Sequence, residues 1–281
     1  MTSFLLRRFL MLLACVAGAV VLISLAVEIA LLNRENSGGQ VIGLWRALIG
    51  GSLWNETWGA AALASLEAFG IAVLILLSFG PVLGVLAARF RRHAWVEVLL
   101  APVFAAGWLP VFWIATLAVW AQFRFWNQPG YFDSASATGG PTEWETLWGR
   151  VVVAVPVAVS GIGWQVRHIA GVLKRAARLP HVRAAYEKGM TGGGLFYRHV
   201  FRNALPELLR SLDRVLPAML GMQVLAEWAC RFPGIGRTLI DAARASDFAG
   251  LLAAGTFFAL LAAVPRWLGG SISRWAHRRD D

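Results

Sequence analysis

The chain has 281 residues, 58% of them apolar and 15% charged, with a mean hydropathy of +0.60. Soluble domains run near half apolar and about a quarter charged, so lipid rather than water is the solvent for much of this sequence. A formal charge of +10 would suggest nucleic acid on a soluble domain, but here the basic residues lie between long apolar runs, so a membrane reading takes precedence and no nucleic-acid partner is expected.

A helix needs about 20 mostly apolar residues to cross the hydrocarbon. Six stretches meet or approach that: residues 9–32, 69–88 (starting as early as Ala60), 98–122, 150–173, 208–230 and 248–267. The expectation is an all-α, polytopic membrane protein with six transmembrane helices. The first run follows Arg7 and Arg8 as a secretory signal would, yet it exceeds a signal core and no clear small-x-small cleavage site precedes the next polar stretch, so it reads as a retained span. Glu28 and Glu67 fall near span edges. The fourth and fifth spans are weaker, because their uncharged cores, 151–166 and 215–226, are short.

Orientation follows the Lys and Arg bias of the loops. With the N-terminus cytoplasmic, 19 of the 26 basic residues fall inside and 7 outside, so both termini are expected in the cytoplasm. Trp54, Trp58, Trp126, Trp144 and Trp148 then gather near the outer boundary, the headgroup level that indole rings prefer. The acidic residues Asp133, Glu143 and Glu145 fall in an outer loop. Gly80-Pro81, Pro102, Pro110, Pro156, Gly161, Gly163, Pro217 and Gly221 suit packed membrane helices, where neighbours re-satisfy freed backbone groups and small residues allow close approach.

Between the fourth and fifth spans, residues 174–210 are polar, strongly basic and long for a connection in a bundle. Leu179, Val182 and Tyr186 recur at helical spacing, as do Phe196 and Val200, which predicts two short amphipathic helices. Arg183 and Glu187 are placed to pair on the first. Gly189 ends that helix and Thr191-Gly192-Gly193-Gly194 separates the two, glycine being the usual left-handed cap. On the residues alone, this is either a basic loop on anionic lipid or a docking element for a cytoplasmic partner.

The run Val182-Arg183-Ala184-Ala185-Tyr186-Glu187-Lys188-Gly189, followed by Arg198-His199-Val200-Phe201-Arg202-Asn203-Ala204-Leu205-Pro206, resembles the cytoplasmic "EAA" loop of ABC importer permeases. More narrowly it is similar to the B-type permease subunit of dipeptide, oligopeptide and nickel importers. Glu227 through Phe232-Pro233-Gly234-Ile235-Gly236-Arg237, Leu239 and Asp241 resembles that family's second block. The resemblance covers most of residues 60–270. It departs in five places: Asn33-Arg34-Glu35-Asn36 replaces a proline-glycine-aspartate-proline motif, the first outside loop is short, and Pro206 comes one residue early. Gly192–Gly194 replaces a more polar stretch, and Arg210, Asp213 and Arg214 stand where relatives are apolar.

The resemblance implies a subunit that is not itself an enzyme and binds no cofactor. ATP and Mg would sit on two partner ABC ATPases. A second homologous permease and an extracytoplasmic solute-binding protein would complete the assembly in the inner membrane. Residues 1–59 would hold the first helix and an outer loop, 60–270 the permease core, and 271–281 a cytoplasmic tail. The coupling loop would use Arg183, Ala184, Ala185, Gly189, Arg202, Asn203 and Pro206. A Cβ at Gly189 is expected to block the turn between docking helices. Ala184 and Ala185 either allow close approach to the ATPase or are simple helix formers. Arg202 and Asn203 either hydrogen-bond backbone at the loop's return or form a solvated face.

Glu227, Pro233, Gly234 and Gly236 would form an outer gate and turn; Pro-Gly with a second Gly marks a tight turn. Glu227 either lies near the path, as intramembrane carboxylates often do, or is hydrated at the interface. Asp213 and Arg214 either line the cytoplasmic end of the path or snorkel to the interface. The sequence has no G-x-x-x-x-G-K-[ST] loop for nucleotide phosphates, no catalytic constellation and no metal-ligand spacing; Cys15 and Cys230 lie in or beside apolar runs. The rival readings are a stand-alone secondary transporter or channel, which would need an ion site at broken helices, and a membrane scaffold without a path.

Overall fold

Lipid offers no partner for backbone N–H and C=O groups, so a spanning chain must satisfy them internally. In the computed structural model, which describes residues 56–90, 93–126, 143–190 and 192–277, all regular structure is helical. In chain order the helices are α1 (Glu56–Arg89), α2 (Ala94–Ala106), α3 (Val111–Trp126), α4 (Glu143–Ala176), α5 (Pro180–Glu187) and α6 (Gly192–Leu195). A π-helical segment, Phe196–Phe201, then leads into α7 (Arg202–Ala229), followed by α8 (Ile235–Ala245) and α9 (Phe248–His277). The first expected span at 9–32, with Arg7, Arg8, Cys15 and Trp54, lies outside the described residues. So do Asp133 and the side chains of Trp126, Glu143, Trp144 and Glu145.

Helices α1 and α4 form the most extensive pair, and α7 packs on both α4 and α9. Leu76, Val153, Val157, Val166 and Met219 fill the shared core. Glycines set how closely these helices approach. Gly80 and Gly84, four apart on one face of α1, lie against Gln165 and Ile169 of α4; a Cβ on Gly84 would sit 2.6 Å from Ile169 Cγ2. This small-xxx-small geometry lets dispersion and close packing replace the hydrophobic force that lipid does not supply. A second contact joins Gly163 of α4 to Gly107 beyond α2, where a Cβ on Gly163 would lie 2.6 Å from both Gly107 Cα and Val103 O.

Three described helical stretches are long and apolar enough to cross a membrane: Trp58–Arg89, Leu147–Ala176 and Phe248–Pro265. The expected single span over 98–122 is instead two helices, Ala94–Ala106 and Val111–Gln122, bent by 102°. Pro110 explains the break. It carries no N–H and pushes the residue before it out of the helical region, and Gly107 ends α2 with its N–H on Val103 O. The fourth expected span lies within α4, which is long and apolar enough to cross, whereas the fifth falls on the more polar α7, which is not among those helices. Helix α9 runs on to His277, through the start of the expected tail.

Candidate functional site

The long helices carry two groups of expected site residues at opposite ends. At one end α7 turns into α8; at the other, α4 returns through α5 into α7.

At the first end, α7 closes with Cys230 as its C-cap and Arg231 in the left-handed region at φ 53°. Arg231 N–H donates to Trp228 O at 3.1 Å and Phe232 N–H to Glu227 O at 2.8 Å, the paired bonds of a Schellman motif. Phe232 is buried there. Gly234 is extended and caps α8 with no side chain of its own, so neighbours must satisfy the first N–H groups of that helix. Two do. Ile235 N–H donates to Ser65 Oγ of α1 at 2.9 Å, and Gly236 N–H to Glu227 Oε2 of α7 at 2.7 Å. Gln223, one turn before Glu227, donates from Nε2 to Glu227 Oε1 and to Ser65 O, each at 2.7 Å.

Ser65, Gln223 and Glu227 are all buried, Glu227 fully. Its side chain is enclosed by the protein, and with Gln223 and Ser65 it ties α1, α7 and α8 together. Both glycines are needed for this. A Cβ on Gly234 would collide with Glu227 Oε2 and Ser65 Oγ, and one on Gly236 would lie 2.7 Å from Val224 Cα. A carboxylate at a helix N-terminus is favoured by the macrodipole, by up to ~2 kcal/mol when partly buried. Sequence reasoning singled out Glu227, Gly234 and Gly236 but missed Gln223 and Ser65. The i,i+4 spacing of Gln223 and Glu227 was a signal; Ser65, a lone hydroxyl in an apolar run, gave none.

Beside this turn is a cavity of about 580 Å³, lined by Trp58, three alanines of α1, Arg150, Pro233, Gly234, Arg237, Thr238 and Asp241. Arg150 pairs with Glu67 at 2.6 Å. Arg237 donates from Nε to Asp241 at 3.3 Å and from a terminal nitrogen to Arg231 O at 2.7 Å.

At the opposite end, α5 has Pro180 at its first turn and buries Val182 and Ala185. Arg183, Ala184, Tyr186 and Glu187 stay exposed, as does Leu179 before the helix. Of Leu179, Val182 and Tyr186 only Val182 is buried; of the two alanines only Ala184 is exposed. Among the described residues no ion pair joins Arg183 to Glu187. Gly189 has φ +88°, with its N–H on Tyr186 O and that of Met190 on Ala185 O. A Cβ at Gly189 would meet nothing within 4 Å. The expected steric block is therefore absent within the chain, and the left-handed backbone is what requires glycine.

The second expected loop helix is not separate: α6 and the π segment continue into α7, with Val200 buried. Arg89, at the end of α1, places its guanidinium over Phe196 at 5.8 Å and Tyr197 at 5.5 Å. Asn203 donates from Nδ2 to His199 O at 2.6 Å and lies 2.8 Å from His181 Nε2, joining α7 to α5; Arg202 is exposed. Pro206 is accommodated inside α7. Arg175 and Glu207 pair at 2.7 Å. Asp213 is half-buried, with Oδ1 lacking a hydrogen-bond partner, and Arg214 is exposed.

A secondary transporter would need an ion site at broken helices, and α2 and α3 are one such broken pair. Here, however, Arg167 of α4 donates to Phe104 O at 3.2 Å and lies over Trp108 at 5.4 Å, placing a side-chain cation at the negative end of α2. Among the described residues no cluster of His, Cys, Asp or Glu has metal-binding geometry.

A protein of Brucella suis named as a peptide transport system permease is 29% identical over 181 residues, covering 63% of this chain and 56% of its own length. The chain thus spans little more than half of the Brucella relatives it matches. SapB of Escherichia coli K12, named a putrescine export system permease protein, is 24% identical over 251 residues, 79% of this chain and 76% of that one. DppB of Alkalihalophilus pseudofirmus, named a dipeptide transport system permease protein, is 23% identical over 233 residues, 74% and 69% of the two chains. The family described as the binding-protein-dependent transport system inner membrane component matches residues 80–278, which take in the α1–α4 glycine contact, the basic loop and the Glu227 turn, and the chain belongs to that family.

Proposed function

We propose that the chain is the permease subunit of an ATP-driven importer, forming half of the path for a peptide-like solute that a binding protein delivers. In this reading it has six transmembrane helices and both termini in the cytoplasm. Residues 1–59 hold the first helix, 60–270 the core and 271–281 the tail. A second homologous permease, two ABC ATPases carrying ATP and Mg, and an extracytoplasmic binding protein complete the assembly. Peptide cargo is favoured by the names of the Brucella and Alkalihalophilus relatives, whereas SapB of Escherichia coli K12 is named for putrescine export.

The observation that carries the reading is α5. It is held by Val182 and Ala185 while Arg183, Ala184, Tyr186 and Glu187 stand uncovered at one end of the bundle. A short amphipathic helix fixed on one side and bare on the other is a handle for a partner groove. Arg89, Asn203 and the Arg175–Glu207 pair link its surroundings to α1, α4 and α7, so a push on α5 reaches the long helices. A bistable bundle whose two states bind the partner differently would turn that push into transport. In this reading Asp213 and Arg214 line the cytoplasmic end of the path, and the Glu227 turn forms the outer gate.

The test is co-purification with an ATPase from the native membrane. Gly189→Ala strains only the backbone, by about 1 kcal/mol, and retains the ATPase. Gly189→Trp adds bulk where the chain itself is open, and loses it. Equal retention by both variants rejects α5 as the docking helix.

A further inference from the structure

We propose that the half of α4 nearer the basic loop lines the solute path, and that Arg167, resting on Trp108 at the α2–α3 break, takes a carboxylate of the passing solute. The inference rests on the permease reading and gives its path a wall and a chemistry.

Non-helical backbone at membrane depth is tolerated where protein buries it or where it faces a water-filled cavity. Gly107, at the break, lies against Gly163 of α4. Gly163 stands about 20 Å along the helix from Ala176, the loop end of the span, at ~1.5 Å per residue. The break is therefore well inside the bilayer. Yet the described residues do not bury it: Trp108 is 81% exposed and Leu109 48%. A helix end leaves carbonyls over, and lipid offers them nothing, so water is the medium that suits this turn.

Helix α4 carries a matching stripe. Trp164, Arg167, His168, Gly171 and Arg175 recur at helical spacing on one face, and each is exposed or half-buried, whereas Ile169 and Val172 are buried. Trp164 stacks flat on His168, with ring centroids 5.2 Å apart. Arg175 is paired with Glu207 at the foot of the stripe. Arg167 has no carboxylate partner among the described residues. Its Nη1 donates to Phe104 O and its guanidinium lies over Trp108, so the Nε and Nη2 edge has no acceptor among them. Nor does the protein enclose that edge. A cation within a membrane span faces a bundle interior or an aqueous cavity, and it calls for an anionic partner. Two parallel N–H groups on a planar fork match a carboxylate. The same charge repels a diamine, so the stripe favours solutes that carry a carboxylate.

The experiment uses inside-out vesicles of the native membrane, where the chain is present with its partners, in a background of Cys15→Ser and Cys230→Ala. Gly171→Cys puts a thiol on the stripe one turn from Arg167, where a Cβ meets only an Arg175 nitrogen at 3.7 Å. Leu74→Cys, at an exposed apolar position of α1, is the lipid control. A charged methanethiosulfonate reagent should modify Gly171→Cys and leave Leu74→Cys unreacted. Tri-alanine and N-acetyl-tri-alanine, which keep the carboxylate, should slow that modification; tri-alanine amide and putrescine should not. Arg167→Gln should raise the half-protecting concentration of tri-alanine about tenfold. Arg167→Lys, which keeps the charge but not the fork, should raise it by less. An unreactive Gly171→Cys, no protection by any peptide, equal protection by the amide or by putrescine, or protection unchanged in both variants overturns the proposal. So does a labelling rate that follows added phosphatidylglycerol and not peptide, which makes Arg167 a lipid anchor. Co-purification of an ATPase from the same membranes tests the permease reading separately. An ATPase recovered with an unreactive Gly171→Cys refutes the path wall alone; carboxylate-dependent protection without an ATPase refutes the reading alone.

Discussion

Glu227 shows how a single side chain acquires a meaning that its type does not disclose. A carboxylate in an apolar run suggests a transport path, yet here both its oxygens accept hydrogen bonds inside the protein, from Gln223 and from the start of α8. Glu227→Leu leaves the Gly236 N–H buried and unpaired, so the melting temperature in nanodiscs should fall, with a loss of about 1–3 kcal/mol. Gly236→Ala should cost a similar ~1–3 kcal/mol by driving a methyl into the α7 backbone at Val224. The opposite sign is expected at Ser246, which ends α8 at φ 54° without being glycine. Ser246→Gly relieves a left-handed strain of ~1–2 kcal/mol, offset in part by added freedom of the unfolded chain, and should raise the melting temperature slightly. These sites are legible as punctuation in the sequence, through Pro233-Gly234 and Gly236. What they punctuate is not, because the partners come from Ser65, more than 150 residues upstream.

At the scale of elements, glycines decide which helices touch. Gly163 sits on Gly107, whereas Gly171, two turns further along α4, would bring its Cβ no closer than 3.7 Å to a flexible Arg175 nitrogen. Gly163→Leu should therefore destabilise the protein by about 1–3 kcal/mol through overpacking, while Gly171→Leu leaves the melting temperature nearly unchanged. The length of apolar runs locates the helices over 69–88, 150–173 and 248–267, and in the structure these helices run longer. The bend at Pro110 is the instructive difference. Hydropathy sums over the residues of a window and cannot see that a missing N–H and a glycine together turn one apolar run into two helices. The loop's second helix merged with α7 for the converse reason: nothing after Leu195 breaks the backbone, and the excess length is absorbed as a π segment.

For the whole molecule, the α5 handle and the cavity at the α7–α8 turn lie at opposite ends of helices 34 residues long, which at about 1.5 Å per residue separates them by the thickness of a bilayer. Single cysteines test that geometry in cells: Tyr186→Cys should be modified by an impermeant thiol reagent only after the cytoplasm is opened, and Asp241→Cys in intact spheroplasts. The reverse pattern removes the orientation and, with it, α5 as a site for a cytoplasmic ATPase. Asp213→Ala, placed at the loop end of α7, should lower uptake while assembly with the ATPase persists; unchanged uptake removes Asp213 from the path.

By itself the sequence determined the solvent of the protein, the presence of long helices, the basic loop and the family to which its two motif blocks belong. Each of these is written in residue type at short range: apolar length, arginine density, and the order of glycines and prolines. The tertiary structure alone decided that Glu227 is a buried tie, that Gly189 answers to backbone conformation rather than space, and that Arg150 pairs with Glu67 beside a cavity. Those outcomes depend on which residues from distant parts of the chain arrive at the same point, and hydrogen bonds and voids exist only between groups that have met.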